Sequence, residues 1–535
     1  MTTKTLSRLF IFLLPSLFFV SCKTTAQTKS SYNLVTDFGA VGDNRTNNYT
    51  AFKKAAQTLS GTKNKKLVIP KGTYYIADYK IVQGAGKNDI TDILFTNADG
   101  LSIEGSNSTI RVNGKFKRKA DYQQKGVPYW YASNNTVTPF AFTNCKNITI
   151  RNVSLNGGVL EMERNPVVVE GWCYGIMIND ESPAQVSGNF IIENVRASLF
   201  ATDGIYIRGN GKNFRINNVT CSRNGRQGLS VVKGRDVLVT NALFDSTGLT
   251  GKYGSHAPAA GIDIENEGVF LDIDHVTIRN CVLKHNKGFQ LVSTAASNRV
   301  TIDSCYVEDL QKGYADGFNG LGIYSANSGI SNSIIYGMFQ LETAGQPYSG
   351  TAPIYVKDNI IFSGRNGLLS ADYNTPLDIT GNVLVMLPGP VKDQYFPYIQ
   401  NNNANFSSNI VITNEDKFAS HPNRVTGLLQ YVSKTENNWW LLGQTAAGKI
   451  RHSSSLQSGY YAIAYDGAKK RGKDYFPDNS KKYVSKTSQN DFLADDVISS
   501  IFQRSIFTQF SQRTFNKQFL ADAAEIRKLL SRYKK

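Results

Sequence analysis

A repeating column of asparagine constrains this sequence more than any other feature. Two positions before each of the first seven column residues stands an isoleucine or valine, and a small apolar residue or a cysteine usually follows the column residue. Six of the eight intervals measure 23 to 28 residues, and one turn of a three-sheet coil needs about 24. The pattern therefore predicts a solenoid of stacked coils. The column residues are Asn152, Asn194, Asn218, Asn241, Asn280, Ser304, Asn332, Asn359 and Asn382.

Three consecutive short strands follow column residues, and each opens with a glycine: Gly204, Gly228 and Gly261. Apolar and polar residues alternate along them, which is typical of a strand with one buried face. The inward side chains are those of Ile205, Ile207, Leu229, Val231, Ile262 and Ile264. The outward residues form a polar stripe of Tyr206, Arg208, Ser230, Asp263 and Glu265, with Asp203, Arg226 and Lys233 at the strand ends.

Long insertions interrupt the repeat at one fixed place. The distance from the column residue to the next strand-opening glycine is 10 residues from Asn194 to Gly204. It grows to 23 from Asn152 to Gly175 and to 20 from Asn241 to Gly261. A third insertion follows Ser304. These loops leave the solenoid at one corner, so we expect them to wall a groove over the polar stripe.

The N-terminal region identifies the architecture. Asp37-Phe38-Gly39-Ala40-Val41-Gly42-Asp43 and Ile69-Pro70-Lys71-Gly72-Thr73-Tyr74 resemble the opening segments of the pectate-lyase-like superfamily. The resemblance implies a right-handed, single-stranded parallel β-helix with an N-terminal capping helix over about 50–59. It implies little about chemistry, because this superfamily hosts lyases, hydrolases, epimerases and phage tailspikes.

We divide the chain into a signal peptide (1–22), the β-helix (23–413) and a C-terminal extension (414–535) with a helical cap. Lys4 and Arg8 precede an apolar run that is short for a membrane span. The run ends in Val20-Ser21-Cys22, which resembles a bacterial lipobox. Cys22 is therefore the predicted lipidation site of an exported, membrane-anchored lipoprotein, in the outer membrane or on its periplasmic or surface face.

The net charge of +17 indicates an anionic partner. The cations are scattered and no nucleic-acid motif accompanies them, so we expect an acidic polysaccharide or its oligosaccharides. We expect no nucleic-acid partner, a monomer, and membrane contact through the lipid anchor alone. Five cysteines remain after Cys22, and we expect them to be free buried thiols.

The polar stripe suits β-elimination from a uronate, which needs a cation at the carboxylate, a base and an acid. Arg208, Arg226 and Lys233 could neutralise the carboxylate, and Tyr206, Lys233 or His256 could move the protons. A polysaccharide lyase and a dehydratase at a non-reducing end fit equally well. No cofactor is required, although Asp263, Glu265 and Glu267 could hold Ca²⁺. Ulvan, alginate and pectin are the substrate class. Substrate binding is assigned to Asp203, Arg226, Gln290, Trp172 and Tyr314.

Two alternatives remain open behind elimination. Asp263 and Glu265 could act as the acid and base of an inverting glycoside hydrolase, since their spacing leaves room for a water. Asp203 lies in a segment reminiscent of the polygalacturonase NTDG motif, but the Asp-Asp, Gly-His-Gly and Arg-Ile-Lys signatures do not follow. The third reading is a glycan-binding surface lipoprotein without activity, because a fold does not decide a function.

Overall fold

Three parallel sheets wrap around one apolar core. The structure is a computed structural model. It describes residues 29–78, 91–114, 136–162, 173–266, 272–310, 320–341, 350–363, 368–370, 375–386, 397–413, 428–430, 432–436, 438–443, 460–465, 469–471 and 474–476. Each coil contributes one strand, or part of a longer bent strand, to each sheet, and every strand pairs with its equivalents in the neighbouring coils. The right-handed parallel β-helix predicted from the sequence is confirmed.

Sheet A runs the length of the solenoid. Its strands are β1 (Ser31–Asn33), β3 (Lys66–Val68), β6 (Ser102–Val112), β8 (Lys146–Asn156), β10 (Gly188–Ser198), β11 (Asp203–Asn217), β13 (Gln227–Thr240), β16 (Ile273–Arg279), β19 (Asn298–Asp303), β22 (Gly329–Ser331), β25 (Ile354–Lys357), β28 (Leu377–Thr380), β31 (Ala404–Ser407) and β34 (Lys434–Glu436).

Sheet B follows sheet A in each coil. It contains β2 (Asp43–Asn47), β4 (Thr73–Ile76), the second halves of β6, β8 and β10, then β12 (Thr220–Ser222), β14 (Leu243–Asp245), β17 (Val282–Lys284), β20 (Tyr306–Glu308), β23 (Ile334–Tyr336), β26 (Ile360–Ser363), β29 (Val383–Met386), β32 (Ile410–Thr413) and β35 (Asn438–Gly443).

Sheet C carries the polar stripe. It contains β5 (Leu94–Thr96), β7 (Phe140–Thr143), β9 (Ile176–Asn179), the first halves of β11 and β13, then β15 (Ala260–Ile264), β18 (Leu291–Ser293), β21 (Leu321–Ile323), β24 (Phe339–Leu341), β27 (Leu368–Ser370), β30 (Tyr398–Gln400) and β33 (Leu428–Gln430). Three further strands, β36 (Tyr460–Tyr465), β37 (Lys469–Arg471) and β38 (Asp474–Phe476), pair antiparallel near the last coil.

The inward residues of successive coils lie directly above one another. In sheet C, Ile205 is in register with Leu229, Leu229 with Ile262, and Ile262 with Leu291, and all four are fully buried. Burial of each such side chain contributes roughly 1.5–3 kcal/mol to the stability of the folded state. The inward alternation predicted from the sequence is confirmed.

A helix covers the N-terminal end of this core. Helix α1 (Tyr49–Leu59) begins one residue before the predicted start and ends where predicted. Phe52 packs edge-on against Tyr74, with ring centroids 6.2 Å apart. The predicted C-terminal helix lies outside the described residues.

The corner between sheets A and B explains the asparagine column. Asn152, Asn194 and Asn218 have φ angles of 55°, 54° and 52°, a left-handed conformation that asparagine tolerates better than most residues. Their amides also bond from coil to coil: Asn194 Nδ2 donates to Asn152 Oδ1 at 3.0 Å, and Asn218 Nδ2 donates to Asn194 Oδ1 at 2.8 Å. Asparagine therefore suits this corner for two reasons: it accepts the left-handed backbone conformation, and its side chain bonds to the neighbouring coil.

The last two members of the predicted column do not belong to it. After Asn332, the left-handed corner residues are Asp358 and Gly381. Asn359 and Asn382 come one position later and are fully buried inside the coil. Because a one-residue shift exchanges the outside of a corner for its inside, these asparagines have a different role.

Asn359, Asn382 and Asn409 form a buried amide ladder. Asn382 Oδ1 accepts from the Asn359 backbone N–H at 3.0 Å and from Asn359 Nδ2 at 3.1 Å. Asn382 Nδ2 donates in turn to Asn409 Oδ1 at 3.0 Å. The ladder satisfies backbone groups that would otherwise be buried without partners.

The coils extend beyond the predicted boundary at residue 413. β33, β34 and β35 pair in parallel with β30, β31 and β32, so another coil reaches Gly443. The boundary was placed too early because the asparagine column ends before this coil, whereas the strand pairing continues without it.

The five cysteines of the described chain are buried and free, as predicted. Burial raises the pKa of the Cys305 thiol, and the neighbouring Cys281 thiol raises it further. These thiols are therefore core residues.

We predict that Asn382→Leu lowers the free energy of unfolding by about 2–4 kcal/mol, because it removes the acceptor of the buried Asn359 backbone N–H and the Nδ2 group that donates to the Val356 carbonyl. The control Asn218→Gly removes one corner hydrogen bond and keeps a residue suited to positive φ, so its loss stays within about 1 kcal/mol. Urea unfolding measures both changes. Equal losses would contradict a structural role for the buried ladder.

Candidate active site

The polar stripe lies on the outer face of sheet C. Tyr206, Ser230, Asp263 and Val292 occupy equivalent positions on β11, β13, β15 and β18. Neighbouring parallel strands are about 4.8 Å apart, so these four side chains form a row along the solenoid axis. Glu265 follows Asp263 by two residues and therefore points to the same side, with the two Cα atoms roughly 6–7 Å apart.

Asp203 is the most deeply buried charge of the stripe, with 0% of its surface exposed. Arg226 Nη2 donates to Asp203 Oδ2 at 2.7 Å, and Arg226 Nε donates to Asp203 Oδ1 at 3.0 Å. The Gln227 backbone N–H and the Ser230 hydroxyl also lie within hydrogen-bond distance of this carboxylate, at 3.2 and 2.9 Å. A buried carboxylate needs such a set, because it is costly when unpaired.

Asp263 lies one coil further on and is 3% exposed. Gln227 Nε2 donates to Asp263 Oδ2 at 2.6 Å. Glu265, two residues along the same strand, is exposed to solvent. One carboxyl group of this pair is thus dehydrated and the other is open to water.

This difference in environment separates the two carboxyl groups chemically. The pKa of Asp263 is raised from 3.8 to about 8, mainly by burial and also by the negative charges of Glu265 and Asp203. The Arg226 charge and the Gln227 hydrogen bond act in the opposite direction and are outweighed. Asp263 therefore carries a proton at neutral pH, as a general acid must.

The other predicted catalytic residues flank this centre. Tyr206 and Arg208 are half-buried on β11, and the Tyr206 ring lies 5.0 Å from the ring of Tyr174. Lys233 Nζ lies 3.1 Å from Asp272 Oδ2. The cation of Lys233 is therefore engaged in an ion pair, as is that of Arg226.

The predicted groove walls leave the solenoid at the corner between sheets B and C. Two of them contain single turns of 3-10 helix, Val159–Glu161 and Gly251–Tyr253. Tyr253 packs with Val159 in a small apolar cluster outside the coil core. Insertions from different coils thus support each other beside the stripe.

His256 belongs to this wall. Its side chain is 5% exposed, and its Nε2 lies 3.1 Å from Tyr253 Oη. The insertion therefore fixes the imidazole by burial and a hydrogen bond. A catalytic role for His256 stays a prediction.

Two predicted substrate-binding residues need correction. Asp203 is fully buried, and both of its carboxylate oxygens accept hydrogen bonds from the protein, so it holds Arg226 rather than a sugar. Gln290 is also fully buried, and its Nε2 donates to the Asn286 carbonyl at 3.1 Å. No pattern in the sequence indicates that this residue closes a turn inside the coil.

Several predicted residues lie outside the described parts of the chain: Cys22, Trp172, Glu267 and Tyr314. Because Glu267 is one of its three residues, the Ca²⁺ site stays a prediction. Among the described residues, no group of three or more His, Cys, Asp or Glu is arranged to hold a metal ion.

Gln227 was not among the predicted site residues, although a sequence signal for it exists. It immediately precedes Gly228 as Asp203 precedes Gly204, 24 residues earlier, and the two residues are in register. Ser230 was assigned to the stripe without a role. Their importance depends on hydrogen bonds between coils.

Comparison with known proteins agrees with this architecture. The family model described as "Right handed beta helix region" matches residues 174–316, which include the whole stripe. An exopolygalacturonase of Arabidopsis thaliana (clone GBGE184) is 27% identical over 262 residues. These matches support the resemblance to the pectate-lyase-like superfamily that the N-terminal segments carry. The likeness to this relative exists although the three polygalacturonase signatures are missing.

The aligned region covers 43% of this chain and 56% of the exopolygalacturonase. The chain thus spans a little over half the length of that curated relative. A second Arabidopsis thaliana sequence, a probable polygalacturonase, is 28% identical over 158 residues, which is 25% of this chain and 31% of the relative.

Solved structures with a similar chain course include PfbA, a surface adhesin of Streptococcus pneumoniae, with 14% identity and a TM-score of 0.41 over 85% of this chain and 99% of PfbA. An exopolygalacturonase from Thermotoga maritima has 14% identity and a TM-score of 0.31 over 81% of this chain and 94% of its own.

No helix in the described part of the chain is long and apolar enough to cross a membrane.

We predict that Arg226→Gln destabilises the protein by about 3–5 kcal/mol, because it leaves the Asp203 carboxylate buried without a counter-charge. Adding Asp203→Asn should restore at least half of the loss. The control is Arg279→Gln, whose ion pair with Asp303 is largely exposed (54% for Arg279) and is worth under about 1 kcal/mol. Urea unfolding of the wild type, Arg226→Gln, the double variant and Arg279→Gln tests this prediction. It is contradicted if the loss from Asp203→Asn adds to the loss from Arg226→Gln in the double variant.

We predict that Asp263→Asn makes the stability of the protein less dependent on pH. The folded-state pKa of Asp263, about 8, lies above its ordinary value of 3.8, so its contribution to stability is full below pH 4 and is lost as the pH rises through 8. Wild type should therefore lose stability relative to Asp263→Asn between pH 4 and 8. Thermal unfolding across this range measures the difference, and a constant difference would refute the raised pKa.

Proposed function

We propose that this chain is a glycoside hydrolase that acts on an acidic, uronate-containing polysaccharide. The observation that carries the proposal is the pairing of the buried Asp263 on β15, whose pKa is raised to about 8, with the exposed Glu265 directly after that strand. Glycoside hydrolysis uses two carboxyl groups of this kind, one acidic and one ionised.

The two groups would divide the reaction between them. Asp263 gives its proton to the glycosidic oxygen as the bond from that oxygen to the anomeric carbon breaks. Glu265 takes a proton from the water that attacks the same carbon from the opposite side. Their Cα separation, roughly 6–7 Å along one strand, leaves room for a water and favours inversion.

Three observations support an anionic substrate. The net charge is +17. Arg208 lies half-buried beside the row that contains Asp263. The curated relatives are named as polygalacturonases. Ulvan, alginate and pectin belong to this substrate class, and the proposal does not choose among them.

β-Elimination is the second candidate, and Tyr206 with Arg208 favours it. These residues are two apart on β11, so a base and a cation share one side of the strand. Elimination ranks behind hydrolysis because Arg226 and Lys233, two of its three proposed cations, are engaged by Asp203 and Asp272.

Export and lipidation at Cys22 form part of the proposal. A lipid anchor on a cell surface or in the periplasm would place the groove where external polysaccharide or its fragments arrive. Labelling with a radioactive fatty acid, compared with Cys22→Ala, tests this separately from catalysis.

We predict that the mature chain releases reducing ends from a uronate polymer without forming the ultraviolet-absorbing unsaturated uronate. Asp263→Asn and Glu265→Gln should each lower kcat by about 10²–10⁴-fold, the usual contribution of general acid–base catalysis. The wild-type rate should fall as the pH rises through about 8, where Asp263 loses its proton. The control is Asp236→Asn, an exposed residue bonded to His275 on another corner.

Each outcome separates the candidates. A rise in ultraviolet absorbance would establish elimination and overturn hydrolysis. Retention on the polymer with neither product would favour a binding protein. Full activity in Asp263→Asn would remove the proposed acid even if the polymer is hydrolysed.

A further inference from the structure

Four buried polar residues form a continuous chain of hydrogen bonds across three coils. They are Asp203 on β11, Gln227 and Ser230 on β13, and Asp263 on β15, and none is more than 3% exposed. Ser230 Oγ lies 2.9 Å from both Gln227 Oε1 and Asp203 Oδ2, two acceptors that share its single proton. Gln227 Nε2 completes the chain by its contact of 2.6 Å with Asp263 Oδ2.

The amide of Gln227 has its two ends fixed by different partners. Its oxygen faces the Ser230 hydroxyl, and its nitrogen faces Asp263. An amide nitrogen only donates hydrogen bonds, so Asp263 Oδ2 must act as an acceptor. A proton on Asp263 must then reside on the other oxygen, Oδ1.

We propose that Gln227 is the positioning residue of the acid: by holding Oδ2 as an acceptor, it confines the transferable proton of Asp263 to Oδ1 and fixes the plane of the carboxyl group. The description of Asp263 as an acid rests on the proposed function and its protonation on its raised pKa, whereas the choice of oxygen follows from the hydrogen bond of Gln227. A carboxyl group with a fixed proton needs no reorganisation when the substrate arrives.

The charged groups around Asp263 explain why a neutral residue is needed at position 227. Glu265 on β15 and Asp203 on β11 are negative, and Arg226 beside β13 is positive. Val292, the partner of Asp263 on β18, is uncharged. A third carboxylate against Oδ2 would share the proton of Asp263 instead of directing it.

Two substitutions test the proposal in opposite ways. Gln227→Met removes the donor, so the proton affinity of Asp263 should rise by roughly one pH unit, or tenfold. Gln227→Glu replaces the donor by an acceptor and should bind about one further proton near neutral pH. The effect of Gln227→Met should disappear when Asp263→Asn is present, because it acts through that carboxyl group.

The matched control is Asn286→Asp, which also converts a buried amide to an acid. Asn286 bonds to Thr247 and Gln290, so it should lower stability without any effect that depends on Asp263. Without this control, a general loss of packing at Gln227 could be mistaken for loss of positioning.

The experiment measures thermal unfolding of the full chain from pH 4 to 10 for each variant, with and without Asp263→Asn, together with kcat and KM on the uronate polymer. We expect Gln227→Met to move the pH dependence attributed to Asp263 upward by about one unit. We also expect it to lower kcat at least tenfold while KM stays within about twofold. The proposal is overturned if Gln227→Met lowers stability equally at every pH, or if its shift persists with Asp263→Asn.

Activity and unfolding can fail independently. A shift in unfolding without hydrolysis of any polymer would refute the proposed function and retain Gln227 as the residue that positions the proton. Hydrolysis with an unshifted pH dependence of unfolding would retain the function and refute the positioning.

Discussion

The rest of the structure depends on constant register between coils. Each strand pairs in parallel with its equivalents above and below, so a residue type chosen in one coil determines what its neighbours meet. The stacked Ile205, Leu229, Ile262 and Leu291 show the apolar consequence. The left-handed corners keep this register because asparagine accepts their backbone conformation and bonds to the coil beside it.

The same register builds the site. Ser230 lies beside Asp263 because both occupy the same position of adjacent strands, and Gln227 occupies the position of Asp203 in the next coil. Groups 24 to 60 residues apart in sequence therefore become neighbours. The burial of so many polar groups is tolerated because they satisfy one another: Arg226 balances Asp203, and Gln227 bridges Ser230 and Asp263.

Function follows from unequal burial along one strand. Asp263 and Glu265 have similar chemistry in water, but only Asp263 is enclosed by its neighbours. Enclosure penalises its charge and keeps it protonated, while exposure leaves Glu265 in water. The wall insertions contribute to this inequality, since they leave the solenoid at the corner beside sheet C and support one another there.

The sequence by itself determined the coil period, the inward residues and the capping helix, because these depend on local alternation and on a repeat that any coil displays. It also determined that Asp263 and Glu265 share one face. Only the tertiary structure decided that the stripe is largely buried, that Arg226 and Lys233 are engaged by Asp203 and Asp272, and that Gln290 closes a turn. Only the tertiary structure also decided that Asn359 and Asn382 lie on the inside of a corner and that a further coil continues beyond residue 413. The physical reason is that burial and ion pairing depend on contacts between coils, which the residue order of a single coil does not specify.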